Sequence, residues 1–200
     1  MTKIVKVNFE SPDPPLKEAA RILSQGKVII YPTDTLYGIG AVIDNEEAVK
    51  KVFQIKKRDP EKPILILIEK LEDLLPLVKN VSSEAEKLMT RYWPGPLTLV
   101  FEASAKVSPL LTGNVGTIGI RCPDSPLVRR LLSLTGSPLT ATSANLSDET
   151  PVRDAGEAKN VFGEKVDLIL DAGPLVSEPS TVVDVTGEKV KVIRQGKLTI

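Results

Sequence analysis

Five consecutive apolar residues, Ile64-Leu65-Ile66-Leu67-Ile68, set the first condition on the fold of this chain. A strand of this composition has no polar face, so other layers must cover it on both sides. Shorter strand-like runs occur elsewhere in the chain, separated by segments whose apolar residues have helical spacing. The pattern predicts a single α/β domain over residues 1–200, in which helices flank a twisted, mixed β-sheet.

Turn and cap signals divide the chain into further elements. Strands are predicted at residues 4–8, 27–30 with an extension at 41–43, 64–68, 97–101, 115–121, 138–142, 166–170, 181–185 and 190–194. Helices are predicted at residues 13–25, 45–57, 71–78, 83–92, 125–134 and 154–162, and a loop at residues 110–114. Asp13 is the expected N-cap of the first helix, and Ser83 with Glu86 forms a capping box. The last two strands form a hairpin around residues 186–188.

The composition excludes several kinds of chemistry. The chain has no histidine, which removes Ser-His-Asp and Cys-His catalysis and histidine-bound zinc. Basic and acidic residues both number 26, and this balance disfavours nucleic-acid binding by bulk charge. One cysteine excludes an intramolecular disulfide and predicts a reducing, cytoplasmic location. We expect no membrane association, because no apolar run approaches ~20 residues and the start lacks a signal peptide's apolar block.

The segment Tyr31–Gly40, Tyr-Pro-Thr-Asp-Thr-Leu-Tyr-Gly-Ile-Gly, follows a β-branched run. Its hydroxyl groups can hydrogen-bond a ligand, and its glycines let backbone N–H groups approach one closely. Alternatively, it is a turn whose threonine and aspartate side chains cap its own backbone. For Asp34, turn capping is favoured over a water-mediated contact with magnesium.

Other polar clusters recur at strand ends, where ligands bind in open α/β sheets. They are Lys56-Lys57-Arg58 with Lys62, Thr117 with Arg121, Thr140 to Asn145, Ser180-Thr181, and Arg194-Gln195-Gly196. Lys56 to Arg58 is either a solvated helix end or a clamp for polyphosphate. Arg121 ends an otherwise apolar strand, so its charged group must reach solvent, a carboxylate or a ligand. An inert buried thiol is favoured for Cys122 over an activated thiolate. Neither a P-loop nor a Rossmann fingerprint is present in the sequence.

Taken together, these segments resemble the YrdC-like threonylcarbamoyl-AMP synthase family. The matching segments are Tyr31 to Gly40, Lys56-x-Arg58 with Lys62-Pro63-Ile64, Trp93 to Thr98, Gly119 to Pro123, Ser143-Ala144-Asn145 and Ser180 to Asp184. They follow in order between about Lys27 and Gly196, and the chain resembles the short form of the family, without an additional C-terminal domain. The resemblance implies a concave, basic pocket.

The resemblance also implies a reaction, in which ATP, L-threonine and bicarbonate or carbon dioxide give L-threonylcarbamoyl-adenylate and pyrophosphate. The product would pass to a tRNA threonylcarbamoyl-transferase complex that modifies tRNAs reading ANN codons. Magnesium would enter with ATP, without protein side chains as ligands. A weak direct contact with tRNA is a further implication.

The family pattern assigns roles to individual positions. Lys56 and Arg58 would be catalytic through their charge, without a covalent nucleophile. ATP would be bound by Lys56, Arg58, Lys62, Thr117, Ser143, Asn145 and Arg194. L-Threonine would be bound by Thr35, Arg121 and Ser180. Family members often have Ser-Gly where this chain has Ser147-Asp148, which leaves the path of that loop open.

Two other classes of function are weighed against this one. An RNA-binding module is disfavoured by zero net charge and an aromatic content of 4%. A carbamoyl-transfer domain of hydrogenase-maturation proteins is disfavoured because those domains lie in much longer chains with zinc-finger-like cysteines.

Overall fold

A computed structural model describes residues 2–8 and 10–200. The strands are β1 Lys3–Lys6, β2 Ile29–Pro32, β3 Tyr37–Gly40, β4 Ile66–Leu67, β5 Leu97–Glu102, β6 Thr117–Arg121, β7 Leu139–Thr140, β8 Thr142–Ser143, β9 Leu168–Asp171, β10 Thr181–Asp184 and β11 Lys191–Arg194. The α-helices are α1 Asp13–Ser24, α2 Glu46–Lys56, α3 Ser83–Tyr92, α4 Pro109–Thr112, α5 Pro126–Thr135 and α6 Ala155–Phe162. The predicted α/β class is confirmed.

The strands divide between two mixed sheets, whereas the sequence predicts one. A five-stranded sheet has the order β1-β9-β2-β3-β8, and a six-stranded sheet has the order β11-β10-β5-β6-β4-β7. Each sheet combines parallel pairs, such as β2 with β9 and β5 with β10, with antiparallel pairs. The sheets meet where the backbone N–H of Thr140 donates to the carbonyl of Ala41 and Val42 forms a bridge with Leu139. The predicted extension at residues 41–43 is therefore the junction between the sheets.

The apolar run at residues 64–68 is covered on both faces, as predicted. Ile64, Ile66 and Ile68 lie in one hydrophobic core, and Leu67 lies in a second core together with buried residues of α1 and α5. Its regular strand is limited to Ile66–Leu67, paired with β6 on one side and β7 on the other. The run therefore lies in the interior of the six-stranded sheet.

The segment Tyr31–Gly40 forms a β-hairpin, in which only the turn is irregular. Strands β2 and β3 pair antiparallel, with Tyr31 opposite Gly38, and the turn consists of residues 33–36. The Tyr31 hydroxyl donates to the carbonyl of Thr140 at 3.1 Å. A Cβ atom on Gly40 would lie 2.6 Å from Cε1 of the Tyr31 ring and 2.7 Å from the Thr140 carbonyl oxygen, so only glycine fits there.

Several helix boundaries differ from the predictions. The N-cap of α3 is Ser82, which accepts from the backbone N–H of Ala85, so the cap lies one residue before the predicted one. The first helix already includes Asp13, after Pro12. At the starts of α2, α5 and α6, the side chains of Asn45, Ser125 and Asp154 accept from backbone N–H groups and act as N-caps.

The helix predicted at residues 71–78 is wrong, because only Leu71–Asp73 forms a 3-10 turn. Pro76 cannot donate the hydrogen bond that a continuing helix requires, and Val78 instead forms a bridge with Ala103. The loop predicted at residues 110–114 overlaps the short helix α4. The final hairpin is confirmed, with β10 and β11 antiparallel. Within the described residues, no helix has both the length and the apolar character needed to cross a bilayer.

Candidate active site

A cavity of about 860 Å³ lies between the two sheets. The hairpin turn, residues of β5, β6, β8 and β11, and the segments at residues 149–153 and 175–180 contribute to its walls. Its volume lies within the range of ~300–1,000 Å³ that is usual for ligand pockets. The predicted site residues that line it are Thr35, Arg58, Thr117, Arg121, Ser143, Asn145, Ser180 and Arg194.

Two predicted phosphate-binding residues lie outside the cavity lining. Lys62 is exposed, in the turn that follows α2. Lys56, the last residue of α2, is only 1% exposed and lies beneath the segment Ser143–Asn145, to which its ammonium group donates. The structure therefore brings Arg58, but neither lysine, to the wall of the cavity.

The hairpin turn holds Thr35 against the cavity through the side chain of Thr33. The Thr33 hydroxyl donates to the carbonyl of Leu36 and accepts from the backbone N–H groups of Thr35 and Leu36. The two threonine hydroxyls lie 3.0 Å apart, within hydrogen-bond distance. Thr33 thus caps the turn, which corrects the prediction that Asp34 does so. Thr35 is buried with its hydroxyl group close to a ligand-sized space.

Asp34 instead pairs with Arg121 from the end of β6. The Arg121 Nη1 atom lies 3.2 Å from one carboxylate oxygen of Asp34 and 3.3 Å from the other. Arg121 is buried and Asp34 is largely buried, with side-chain exposed fractions of 4% and 13%. Burial lowers the pKa of Arg121, and the negative charge of Asp34 opposes that shift. Among the described residues, Nε of Arg121 has no hydrogen-bond partner, so the guanidinium retains donor capacity.

Arg194 is held beside this pair by the segment that carries Ser180. Its Nη2 atom donates to the Ser180 carbonyl at 2.8 Å, and the Ser180 hydroxyl shares a hydrogen bond of 2.8 Å with the Thr98 hydroxyl. A Cβ atom on Gly196 would overlap the backbone of Pro179 and Ser180, so glycine permits this close approach.

Arg121 and Arg194 together form a positively charged part of the cavity wall. Burial lowers the pKa of Arg194, and the charge of Arg121 lowers it further, which indicates that the two guanidinium groups are neighbours. One carboxylate, that of Asp34, faces Arg121 but does not line the cavity. Two cations with one anion favour a further anionic group, and a carboxylate suits an arginine fork.

Arg58 forms a second positive group in the cavity. Its Nη2 atom donates to the carbonyl of Pro63 at 2.7 Å. Among the described residues, its Nε atom is buried without a hydrogen-bond partner. Burial lowers the pKa of Arg58, while the charges of Asp148 and Asp59 oppose that shift. A guanidinium with an unused donor at a cavity wall is suited to bind phosphate.

The loop around Asp148 has a backbone conformation that favours glycine, the residue that the family resemblance implies at this position. Asp148 has φ of +68°, in the left-handed region where glycine is most easily accommodated. Aspartate tolerates this region better than most other side chains do. Asp148 therefore fits this turn and carries an exposed carboxylate whose charge acts on Arg58.

Ser143 and Asn145 face the cavity from β8 and the residues just after it. The Ser143 hydroxyl donates to Oδ1 of Asn145 at 2.5 Å. The Asn145 side-chain amide donates to the carbonyls of Leu146 and Glu149, at 2.7 and 2.8 Å. These bonds fix the amide orientation and hold the loop that forms this wall.

Tyr37 connects three walls of the cavity. Its backbone carbonyl accepts from Ala144 at 2.8 Å, and its buried hydroxyl accepts from the N–H of Ala172 at 3.0 Å and donates to the carbonyl of Gly173 at 2.7 Å. The hydroxyl thus ties the segment after β9 to the hairpin.

We expect Tyr37→Phe to destabilise the chain by about 1–3 kcal/mol, because it leaves the partly buried N–H of Ala172 and carbonyl of Gly173 without their shared partner. Urea unfolding of both proteins measures the change. The matched control is Tyr92→Phe, at a partly exposed position on α3, which we expect to change stability by less than about 0.5 kcal/mol. Equal losses for the two variants would contradict the role given to the Tyr37 hydroxyl.

The prediction from sequence did not assign roles to several lining residues. Thr98 lies among apolar residues of β5, and its buried hydroxyl could have been recognised as an interruption of that pattern. Arg153 and the exposed apolar residues Val176 and Ile193 also line the cavity. Arg153 and Val176 lie in segments without a strand or helix signal, and the strand predicted at residues 190–194 does not show that Ile193 faces a cavity, so the sequence could not place these residues.

Two other sequence candidates have simple structural explanations. Cys122 is buried and its thiol donates to the carbonyl of Glu69 at 3.4 Å. Burial raises the pKa of this thiol, in keeping with an inert role. Within residues 2–8 and 10–200, no group of three or more cysteine, aspartate or glutamate side chains is arranged to hold a metal ion.

The fold and the cavity define an α/β domain with arginine and hydroxyl groups placed for anionic ligands. The Sua5/YciO/YrdC family model, described as telomere recombination, matches residues 21–196. The chain belongs to this family, which confirms the resemblance seen in the sequence.

Threonylcarbamoyl-AMP synthases from other organisms are similar to this chain over most of its length. A threonylcarbamoyl-AMP synthase of Pyrococcus abyssi is 35% identical over 201 residues, which is all of this chain and 59% of that protein. A threonylcarbamoyl-AMP synthase of Vibrio vulnificus is 36% identical, over 90% of this chain and 98% of that protein. The crystal structure of P. abyssi Sua5 complexed with L-threonine has a TM-score of 0.95 and 35% identity, over 98% of this chain and 58% of that one. This chain thus spans less than two thirds of the Pyrococcus protein.

Proposed function

We propose that the chain is a threonylcarbamoyl-AMP synthase, which forms L-threonylcarbamoyl-adenylate and pyrophosphate from L-threonine, bicarbonate or carbon dioxide, and ATP. The observation that carries this proposal is a single cavity with two separate arginine groups, Arg121 with Arg194 and Arg58 with the Ser143–Asn145 wall. The names of the Pyrococcus and Vibrio relatives support it.

The first group of residues would bind L-threonine. Arg121 would contact the threonine carboxylate through the donors that Asp34 leaves free, with Arg194 adding positive charge. Thr35 and Ser180 would hydrogen-bond the polar groups of threonine, since both hydroxyls are buried at the cavity wall. The threonine complex of P. abyssi Sua5 supports this choice of ligand.

The second group would bind ATP. Arg58 would contact its phosphates through its guanidinium group, and Ser143, Asn145 and Thr117 would line the nucleotide side. Arg194 would close over the nucleotide from β11. Contacts of Lys62 with phosphate remain a prediction that requires the exposed turn after α2 to reach the ligand.

The proposed chemistry needs no covalent intermediate with the protein. The threonine amine forms a bond to the carbon of carbon dioxide and loses a proton, which gives a carbamate. A carbamate oxygen then bonds to the α-phosphorus of ATP, the bond to the bridging oxygen breaks, and pyrophosphate leaves. The arginine side chains would align the two anions and stabilise the charge on the leaving pyrophosphate. Magnesium would enter as part of the ATP substrate and neutralise phosphate charge.

The product would be used in the cytoplasm by a tRNA threonylcarbamoyl-transferase complex. Threonylcarbamoyl-adenylate is a mixed anhydride that loses AMP readily, so a reaction class that transfers the threonylcarbamoyl group must consume it. Any direct contact with tRNA would be weak, because the chain has no net charge with which to hold a polyanion.

Pyrophosphate release tests the proposed function. We expect purified chain to release pyrophosphate from ATP only when L-threonine and bicarbonate are both present. Parallel reactions omit threonine, or omit bicarbonate in buffer freed of carbon dioxide. Release that continues at the same rate without threonine would contradict the proposal and indicate simple ATP hydrolysis or a different acceptor.

A further inference from the structure

The buried ammonium group of Lys56 lies outside the cavity wall, so its role differs from that of the arginine side chains that line the cavity. Lys56 ends α2, and its side chain lies in the interior of the protein. Burial, and next the charge of Arg58, lower the pKa of this lysine to about 7. Burying an ammonium group is costly unless hydrogen bonds compensate, and an apolar side chain could fill the same space. The presence of a lysine at this buried position therefore indicates that its hydrogen bonds have a function.

The ammonium group is fully engaged by the loop that carries Ser143 and Asn145. Nζ donates to the carbonyl of Ser143, to the carbonyl of Asn145 at 2.7 Å, and to Oδ1 of Asn145 at 3.1 Å. A lysine ammonium has three N–H donors, so these acceptors use all of them. With this arrangement Lys56 has no donor left for a phosphate oxygen.

The backbone of Lys56 holds the same loop from its other side. The Lys56 carbonyl accepts from the backbone N–H of Ser147 at 2.9 Å. Oδ1 of Asn145, which accepts from Lys56, also accepts from the Ser143 hydroxyl. The ammonium group therefore contributes to the hydrogen bonds that orient both cavity-facing side chains.

We propose that Lys56 is a positioning residue, which acts on the reaction by fixing Ser143 and Asn145 at the cavity wall and not by contacting the phosphates of ATP. The kinetic part of this inference rests on the proposed function, whereas the structural part concerns the free protein alone. It replaces the direct phosphate grip that the family resemblance implies for this residue.

Amide hydrogen exchange of the free protein tests the structural part. Lys56→Met keeps the side-chain length and removes all three donors, so we expect the amides of residues 144–149 to exchange at least about tenfold faster. Lys51→Met, at an exposed position on the same helix, is the control and should leave these rates unchanged. Exchange in Lys56→Met within twofold of the wild-type rates would overturn the proposal.

Kinetics of combined mutants test the functional part. If Lys56 acts through Ser143 and Asn145, Lys56→Met should reduce kcat/KM for ATP strongly in the wild-type background and add little once Ser143→Ala and Asn145→Ala are both present. Independent losses that multiply would overturn the proposal in favour of a separate phosphate contact. A wild-type protein that shows no threonine-dependent pyrophosphate release would contradict the proposed function, while the exchange result would stand.

A measurement on the wild-type chain covers the case in which Lys56→Met does not fold. Lysine ammonium resonances of ¹⁵N-labelled protein can be followed while inorganic pyrophosphate is added. We expect the Lys56 resonance to keep its position because its three acceptors belong to the protein. A Lys56 shift that follows the binding curve and exceeds the shifts of the other lysines would overturn the proposal.

Discussion

Arg121→Ala is expected to abolish threonine-dependent pyrophosphate release and to destabilise the chain by about 3–5 kcal/mol. The substitution removes the guanidinium assigned to the threonine carboxylate and leaves the largely buried carboxylate of Asp34 without its partner at 3.2 Å. Both effects arise because one side chain serves the fold and the ligand. Urea unfolding and the pyrophosphate assay measure them separately.

The chain contains a matched control for this prediction. Arg130 and Asp13 form another arginine–aspartate pair, at 2.7 Å, but both side chains are substantially exposed. Solvent weakens such a pair, so Arg130→Ala should lose far less stability and retain activity. Equal destabilisation by the two substitutions would contradict the importance of burial. Full activity of Arg121→Ala would remove this residue from the threonine site.

Arg58→Ala should reduce the rate of pyrophosphate release by at least about 100-fold while the fold survives. The side chain lines the cavity, its guanidinium has a hydrogen bond to the carbonyl of Pro63, and among the described residues its buried Nε has no partner. It is only partly buried, so the fold depends on it less than on Arg121. Steady-state kinetics together with circular dichroism separate lost catalysis from lost structure.

Arg21→Ala provides the comparison for Arg58→Ala, because Arg21 is exposed on α1 and lies outside the cavity lining. We expect its kinetics to match those of the wild-type protein. If Arg58→Ala retained wild-type kcat and KM for ATP, the assignment of Arg58 to the phosphates would be wrong.

Residues of the cavity wall could be predicted from the sequence where a polar group interrupts an apolar strand. Arg121 ends β6, in which Ile118 and Ile120 are buried, so its charge required a partner or a ligand. The structure supplies a partner, Asp34, and also leaves donors free at the cavity. The sequence held both possibilities open because Asp34 lies 87 residues earlier in the chain.

The order in which the strands lie side by side could not be predicted as well from the sequence. Alternation along a strand reveals which faces are buried, but not which strand lies beside it. Ile66 pairs with Ile120 on one side and Thr140 on the other, and nothing in the apolar run at residues 64–68 specifies these neighbours. For this reason the sequence predicted a single sheet, whereas the structure has two sheets with a cavity between them.

Lys56 shows the same limit at a single residue. Its position near Arg58 at the end of a helix is typical of a cation that complements the helix dipole or binds an anion. Its acceptors are carbonyl and amide oxygens 87 and 89 residues further along the chain, and backbone acceptors leave no mark in a sequence. Only the folded structure reveals that this lysine is directed into the protein.

Mass spectrometry of the reaction product tests the central proposal most directly. Purified chain is incubated with ATP, L-threonine and ¹³C-bicarbonate, and the nucleotide products are separated at short reaction times. We expect a product with the mass of threonylcarbamoyl-AMP that carries the ¹³C label, together with an equal amount of pyrophosphate. Pyrophosphate and AMP without any labelled threonine adduct, or an adduct formed without bicarbonate, would contradict the proposed function.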